Sequence, residues 1–276
     1  MLRIINWNIS YQGDTANKVE LLHQTIDSAS SPCLIALQEV TPSAYDVICR
    51  AGLFESHSFS LKIRPKGKFE GRNRALGCFI GATAGIEIID SSLVERALFP
   101  ERAITANIQH GHFVFEIVCF HSLTGVHYKK AKSAQFAALA DYLHAMRDMP
   151  LILCCDLNEP KMDYLDPDKI EFFDQKGDKG KYAGYILQPG NAHKLRDIYR
   201  THLLQTSCEN THESDILIPE RFAASHILTG GIRKRYDYIM ASHHWTVKDV
   251  RYLYDEAIQH GSDHAMVVGD LAVSGV

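Results

Sequence analysis

Short apolar runs alternate with helical stripes along this chain of 276 residues. The run LRIINWNI (2–9) is rich in β-branched and aromatic residues and predicts a strand. Within 16–29, Val19, Leu22, Ile26 and Ala29 recur at helical spacing. CLIALQEV (33–40) is a short apolar run, as expected of a buried strand. Thr41 is an N-cap residue, Pro42 suits the first helical position and Gly52 is a stop, so 41–52 predicts a helix. RALGCFIG (74–81), GIEIID (85–90), RAITANIQ (102–109) and HFVFEIVCF (112–120) predict four successive strands. The longest helix is predicted over 128–147, with Phe136, Leu139, Leu143 and Met146 on one side. LILCC (151–155) reads as a strand and 193–204 as a helix. RYDYIMAS (235–242) and AMVVGDL (265–271) close the chain as strands.

Strands outnumber helices and fall into two sets, each accompanied by helices. That pattern predicts an α/β (α+β) class chain, a four-layer α/β sandwich of two packed mixed β-sheets flanked by helices. No internal repeat of about 20–50 residues is visible. No Gly/Ser linker divides the chain, so 1–276 is read as one domain. Two stretches read as excursions from it, LKIRPKGKFEGRNR (61–74) and the polar segment from Lys161 to about Gly231. Long loops in a compact domain are often functional.

With 46% hydrophobic residues the chain can bury a sizeable core. The net charge of −4 is not that of a globally basic nucleic-acid binder and leaves room only for a local basic face. No run approaches the ~18 apolar residues of a membrane span, and Met1 leads directly into a strand rather than a signal peptide. None of the seven cysteines forms C-x-x-C, and most lie in apolar runs. The expectation is a reduced, cytoplasmic protein without disulfides or structural zinc. The histidines are many, but none form H-E-x-x-H, and His243-His244 reads as surface.

Several apolar runs end in polar residues: Asn6 and Asn8, Gln38 and Glu39, His121 and Ser122, Asp156 and Asn158. Asp237 lies inside the RYDYIM run, and Asp263 and His264 begin the last strand. In a two-sheet sandwich such ends gather at one edge. Carboxylate and amide oxygens are hard ligands that suit Mg²⁺ or Mn²⁺. Such an ion polarises a phosphoryl oxygen. An aspartate can deprotonate water, and an Asp–His pair fixes an imidazole. Asp156 and Asn158 are i, i+2, so on an extended chain they face the same side. Each residue also has a plainer reading: Asn8 as a strand terminator, His121 as a satisfied core histidine, Arg235 as a partner of Asp237, and SDH as a turn.

The order of these segments carries a resemblance. NWN (6–8), LQEV (37–40), FHS (120–122), DLN (156–158), RYDYI (235–239) and SDH (262–264) resemble, in order, the motifs of the endonuclease/exonuclease/phosphatase superfamily. That is the fold of pancreatic deoxyribonuclease and of the abasic-site endonucleases. The resemblance implies Glu39 as principal metal ligand, with Asn8 and Asp263 near the same ion. It implies Asp156 for the water, Asn158 for the scissile phosphate, and His264 supported by Asp237 for phosphate contact and acid/base work. His121 matches a phosphate-contacting or general-acid histidine. Arg72 and Asn73 in GRNRAL, and Arg102, resemble substrate-phosphate contacts, and Ser225 and His226 fall in a substrate-side loop. The tyrosine–asparagine–arginine cluster of abasic-site enzymes is not recognisable. The calcium and disulfide features of secreted deoxyribonucleases and the insertions of inositol-phosphate phosphatases are missing too.

The stretch 62–74 holds six basic residues against Glu70 and suits a nucleic-acid backbone, or is a solvated loop. Its nearby aromatics are only Phe59 and Phe69, which does not predict a stacking platform. The mixed-charge stretch 174–185 has no assigned role. The leading reading is a Mg²⁺-dependent phosphodiesterase on DNA or RNA. The alternative is a phosphatase or sphingomyelinase-like enzyme on a small or lipid ester, with 161–231 as specificity element. The remote one is a non-catalytic binding protein. No obligate protein partner or membrane-docking helix is evident.

Overall fold

In the computed structural model, which describes residues 1–188, 190, 192–207 and 222–274, the apolar runs become strands. These are buried throughout over Leu2–Asn8, Gly77–Ala82 and Leu151–Asp156 but exposed at most positions of the edge strand Glu87–Leu93. The elements in chain order are β1 (Leu2–Asn8), α1 (Thr15–Asp27), β2 (Cys33–Val40), α2 (Pro42–Arg50), β3 (Ser56–Phe59), α3 (Ser60–Ile63), β4 (Gly77–Ala82), β5 (Glu87–Leu93), β6 (Ala103–His110) and β7 (Phe113–His121). They continue with α4 (Gly125–Tyr128), α5 (Lys130–Ala145), β8 (Leu151–Asp156), α6 (Lys181–Leu187), β9 (Arg196–Asp197) and α7 (Ile198–Ser207). The last are β10 (His226–Leu228), β11 (Ile232–Lys234), β12 (Asp237–Ala241), β13 (Trp245–Leu253), α8 (Tyr254–Gln259) and β14 (Met266–Val273). As predicted, Thr41 caps α2, accepting from the Ala44 amide.

Two six-stranded mixed sheets result, ordered β13-β14-β1-β2-β4-β3 and β5-β6-β7-β8-β12-β9. Each contains one parallel pair, β1–β2 and β7–β8, joined by the crossover helices α1 and α5. The inner faces of both sheets share one core, including Ile4, Leu34, Ile117 and Ile152. A second cluster seals α5 and α6 against the outer face of one sheet, and a third seals α1 and α2 against the other. The four-layer sandwich expected from the pattern is therefore what the chain forms. No helix among the described residues is long and apolar enough to cross a membrane.

Two strands are not anticipated by the pattern, and two expectations are corrected. β13 is a full strand that the pattern hides, because a bulge between Val247 and Asp249 interrupts its alternation. β3 is a short, polar edge strand. The helix expected at 193–204 starts only at Ile198, because Arg196–Asp197 pair with β12 and Asp197 accepts from the Tyr199 amide. The stretch 61–74 is not simply a free loop: its ends lie in α3 and in a 3₁₀ turn (Arg72–Ala75) that delays β4 to Gly77. In 174–185, Asp174 and Asp178 accept several loop amides. Cys208 and the rest of 208–221 lie outside the described residues; the six other cysteines are free thiols.

The long segment after β8 is pinned to β12 by a buried four-charge network. Arg235 donates to Asp163 (2.7 Å) and Asp197 (2.6 Å), and Arg200 donates to Asp197 (2.6 Å) and Asp163. Arg235 thus serves these carboxylates and not Asp237. Burial works against the Asp197 charge, but Arg235, Arg200 and the Tyr199 amide outweigh it and hold the carboxyl below its ordinary range. Its contribution is therefore complete above the unfolded value of 3.8 and fades as pH falls through the depressed folded value. Asp197→Asn should lose about 3–5 kcal/mol at neutral pH, because two arginines lose a buried partner. In urea unfolding the gap to wild type should shrink in acid; an equal gap at every pH would contradict this account.

Candidate active site

Strand register assembles the site. In β1–β2, Asn8 lies opposite Gln38; in β7–β8, His121 lies opposite Asp156. Asp237, the first residue of antiparallel β12, also faces Asp156. The two sheets are tied just behind this edge. The Asn6 amide of β1 donates to the carbonyls of Cys155 and Tyr238, both at 3.1 Å, and accepts from Gln38 Nε2 at 2.8 Å.

Three neighbouring residues occupy left-handed backbone: Ser10 (φ 52°), Glu39 (φ 58°) and Asn158 (φ 48°). Such conformations cost on the order of 1–3 kcal/mol each and cluster at functional sites. At Glu39 the β2–β4 register breaks between Leu37 and Val40. Gln38 stays buried between the sheets while Glu39 keeps 18% of its side chain exposed. The Asp156–Asn158 pairing corrects the sequence expectation. β8 ends at Asp156, and the two side chains meet through a turn, not through an extended pleat. Asp156 accepts from the Asn158 backbone (2.9 Å) and side-chain amide (3.2 Å).

Asp156 is fully buried and accepts from Asn8 Nδ2 at 2.9 Å. His264 Nδ1 meets Asp237 at 2.8 Å, and Asp156, Asp237 and His264 lie within 4.8 Å of one another. Burial disfavours the His264 charge, yet Asp237 and Asp156 hold its pKa up at about 10. Burial, with Asp237 adding repulsion, raises that of Asp156 against the pull of His264. Burial and the Asp156 charge likewise raise Glu39 against the Tyr11 amide it accepts at 3.0 Å. His121 is held neutral, well below its ordinary range, by burial and by the charges of Arg102 and His264. Arg102 Nη1 lies 3.0 Å from His121 Nδ1, which leaves Nε2 facing Glu39 and Asp156, each at 3.6 Å. Arg102 is itself buried, and no carboxylate among the described residues pairs with it within 4.0 Å.

These groups fit a hard divalent cation. Glu39, Asp156 and Asp263 are carboxylates and Asn8 an amide, the donor chemistry such ions prefer. The ligand atoms that lie within 4.8 Å of one another, however, belong to Asp156, Asp237 and His264 and to His226, Asp263 and His264. Glu39 is in neither group, and Asn8 Oδ1 already accepts from the Ser10 amide at 3.0 Å. Asp237 Oδ1 is buried with no partner, and the raised Glu39 and Asp156 are carboxylates short of positive charge.

No family model matches the sequence, and no curated protein matches it. Solved structures do. An endonuclease/exonuclease/phosphatase from Bacteroides vulgatus superimposes over 99% of this chain and 98% of its own, at 15% identity and TM-score 0.63. This chain has the same fold as that endonuclease/exonuclease/phosphatase. An AP endonuclease from Archaeoglobus fulgidus shares it over 99% of this chain and 100% of its own (17% identity, TM-score 0.64). So does TDP2 from D. rerio, solved with a single strand DNA product, over 99% of both chains (13% identity, TM-score 0.66).

Within this fold the predicted site residues largely converge. Asn8, Glu39, His121, Asp156 and Asn158 form one contact network that Arg102 joins through His121. Asn73 is connected because its carbonyl accepts from Arg102 at 3.3 Å. Asp263 is exposed, and its carboxylate lies within 4.8 Å of ligand atoms of His226 and His264. His226 is half-buried and stacks on His264 with ring centroids 4.5 Å apart. Arg72 is exposed and outside the network. Ser225 is fully buried, and its hydroxyl accepts from the Tyr236 and Asp237 amides, a backbone support and not a lining group.

Sequence reading missed the supports. Lys132, 1% exposed, donates to the Asn158 carbonyl (2.7 Å) and to Glu159 (2.8 Å), whose other oxygen accepts from the Phe173 amide (3.0 Å). Lys18, equally buried, donates to the Ser10 carbonyl at 2.7 Å and to Gln12. A lysine inside a helical apolar stripe was the available signal. Lys132→Met should cost about 3–5 kcal/mol in thermal or urea unfolding, because Glu159 stays buried and unpaired. Adding Glu159→Gln should restore part of it; additive losses in the double variant would show that the pair does not act as a unit. Asp237→Asn should lower the His264 pKa from about 10, read by histidine NMR titration; an unmoved value would show that Asp237 does not hold the proton.

Proposed function

We propose that this chain is a divalent-metal-dependent phosphodiesterase, a nuclease acting on DNA or RNA. The observation that carries the reading is the Asp237–His264 pair set against buried Asp156, beside the Glu39 edge. Glu39, Asn8 and Asp263 would hold Mg²⁺, with Mn²⁺ as substitute. When bound, the ion polarises the scissile phosphate and offsets charge on the leaving oxygen.

The protein's own groups supply the rest. Asp156, oriented by Asn8 and Asn158 and raised by burial, suits taking a proton from the attacking water. The second N–H of the Asn158 amide has no partner among the described residues and suits phosphate. His264, its Nδ1 proton held by Asp237, presents the Nε2 proton to a phosphate oxygen as negative charge grows there. Neutral His121 donates from Nε2, and buried Arg102 lends positive charge with no carboxylate of the described residues within 4.0 Å of it. That the superfamily fold also serves an AP endonuclease and a TDP2 with a DNA product supports a nucleic acid as substrate.

Glu39→Gln should reduce Mg²⁺-dependent nicking of supercoiled plasmid roughly a thousandfold. Its unfolding midpoint should match or exceed wild type, since a crowded carboxylate is removed. EDTA should abolish nicking and added Mg²⁺ restore it. Near-normal nicking by the variant would refute the metal assignment. An intact plasmid with turnover of a lipid or small phosphate ester would move the substrate to that class.

A further inference from the structure

Two basic segments meet beside the phosphate end of the site. One is 65–72; the other is 126–130. They are joined where Asn73 Nδ2 donates to the Tyr128 hydroxyl, and Asn73 in turn accepts from Arg102, the neighbour of His121. Phe99 packs edge-on against Tyr128 with centroids 5.4 Å apart, and Arg74 covers Phe99 at 3.9 Å.

The acids here are already engaged. Glu70 accepts from Arg64 and the Gly67 amide, and buried Glu101 binds Arg74. Lys66, Lys68, Arg72, Lys129 and Lys130 are exposed and enter no ion pair among the described residues. On a chain of net charge −4 this is a local excess of positive charge. The same surface leaves Phe69 95% exposed, with the Lys68 ammonium 5.6 Å from its ring centroid, and Val126 79% exposed. Phe59, the other aromatic of the region, is buried and stacked on Tyr45. Phe69 therefore offers a free ring face where the sequence predicted no stacking platform.

We propose that this surface receives a single-stranded stretch of nucleic acid, a base on the Phe69 ring and phosphates on the surrounding lysines. The inference rests on the phosphodiesterase reading of the adjoining site. A flat ring flanked by ammonium groups meets the base and phosphate of one nucleotide together. A duplex keeps its base faces stacked and cannot use the ring. A membrane would need a broader apolar face than two side chains beside the four-residue helix α4.

The test is fluorescence anisotropy with a labelled oligodeoxynucleotide of about 16 nucleotides, single-stranded or annealed, in EDTA so that nothing is cut. The single strand should bind more tightly than the duplex. Phe69→Ala should weaken single-strand binding roughly tenfold and leave duplex binding unchanged. Lys129→Gln with Lys130→Gln should flatten the slope of log affinity against log salt by roughly one to one and a half. Equal binding of both forms, or an unaffected Phe69→Ala, overturns the proposal. So does Phe69-dependent sedimentation with phosphatidylserine vesicles in place of oligonucleotide binding. Wild-type turnover of bis-para-nitrophenyl phosphate with Mg²⁺ is read separately. Its absence alongside Phe69-dependent binding would overturn the hydrolase reading alone. Its presence with Phe69-independent binding would overturn only the surface.

Discussion

The Asn6 side chain holds the two halves of the site in one place. A sandwich of two sheets buries apolar faces against each other, and that attraction is non-directional. Nothing in it fixes how far one sheet edge slides past the other. Asn6 supplies direction, with hydrogen bonds from one sheet to the carbonyls of two strands in the other. Those strands end in the very segment where Asp156 and Asp237 face each other. Gln38 completes the tie, and a buried amide of this kind is tolerated only where its partners are met.

In front of that tie the molecule concentrates charge that folding alone would disperse. Three acids and two histidines share a small, mostly buried volume, and burial presses on each differently. One histidine is driven neutral by burial and a neighbouring arginine, the other kept charged against burial by aspartate. Two identical side-chain types thus acquire opposite roles from their neighbours. Left-handed backbone at Ser10, Glu39 and Asn158 accompanies this charge: the Ser10 amide donates to Asn8 Oδ1, the Asn158 amide to Asp156, and the break at Glu39 separates its side chain from that of Gln38.

The sequence made the skeleton legible because continuous apolar runs leave few alternatives to buried strands. It made much of the site legible because acids and amides at the ends of such runs have no packing role there. β13 escaped because its bulge destroys the period on which strand recognition depends. The way Asp156 meets Asn158 escaped because a positive φ at an asparagine leaves no mark in the pattern. Lys18 and Lys132 escaped for a different reason. Lysine in a helix reads as solvated, and only the tertiary structure shows carbonyls waiting at its end.

The left-handed backbone at Glu39 sets stability and chemistry against each other at a single position. Glycine adopts that conformation without strain and would also remove a half-buried, crowded carboxylate. Drift under selection for folding alone would therefore run toward losing this residue. A glutamate standing there carries backbone strain and a crowded charge at one and the same position.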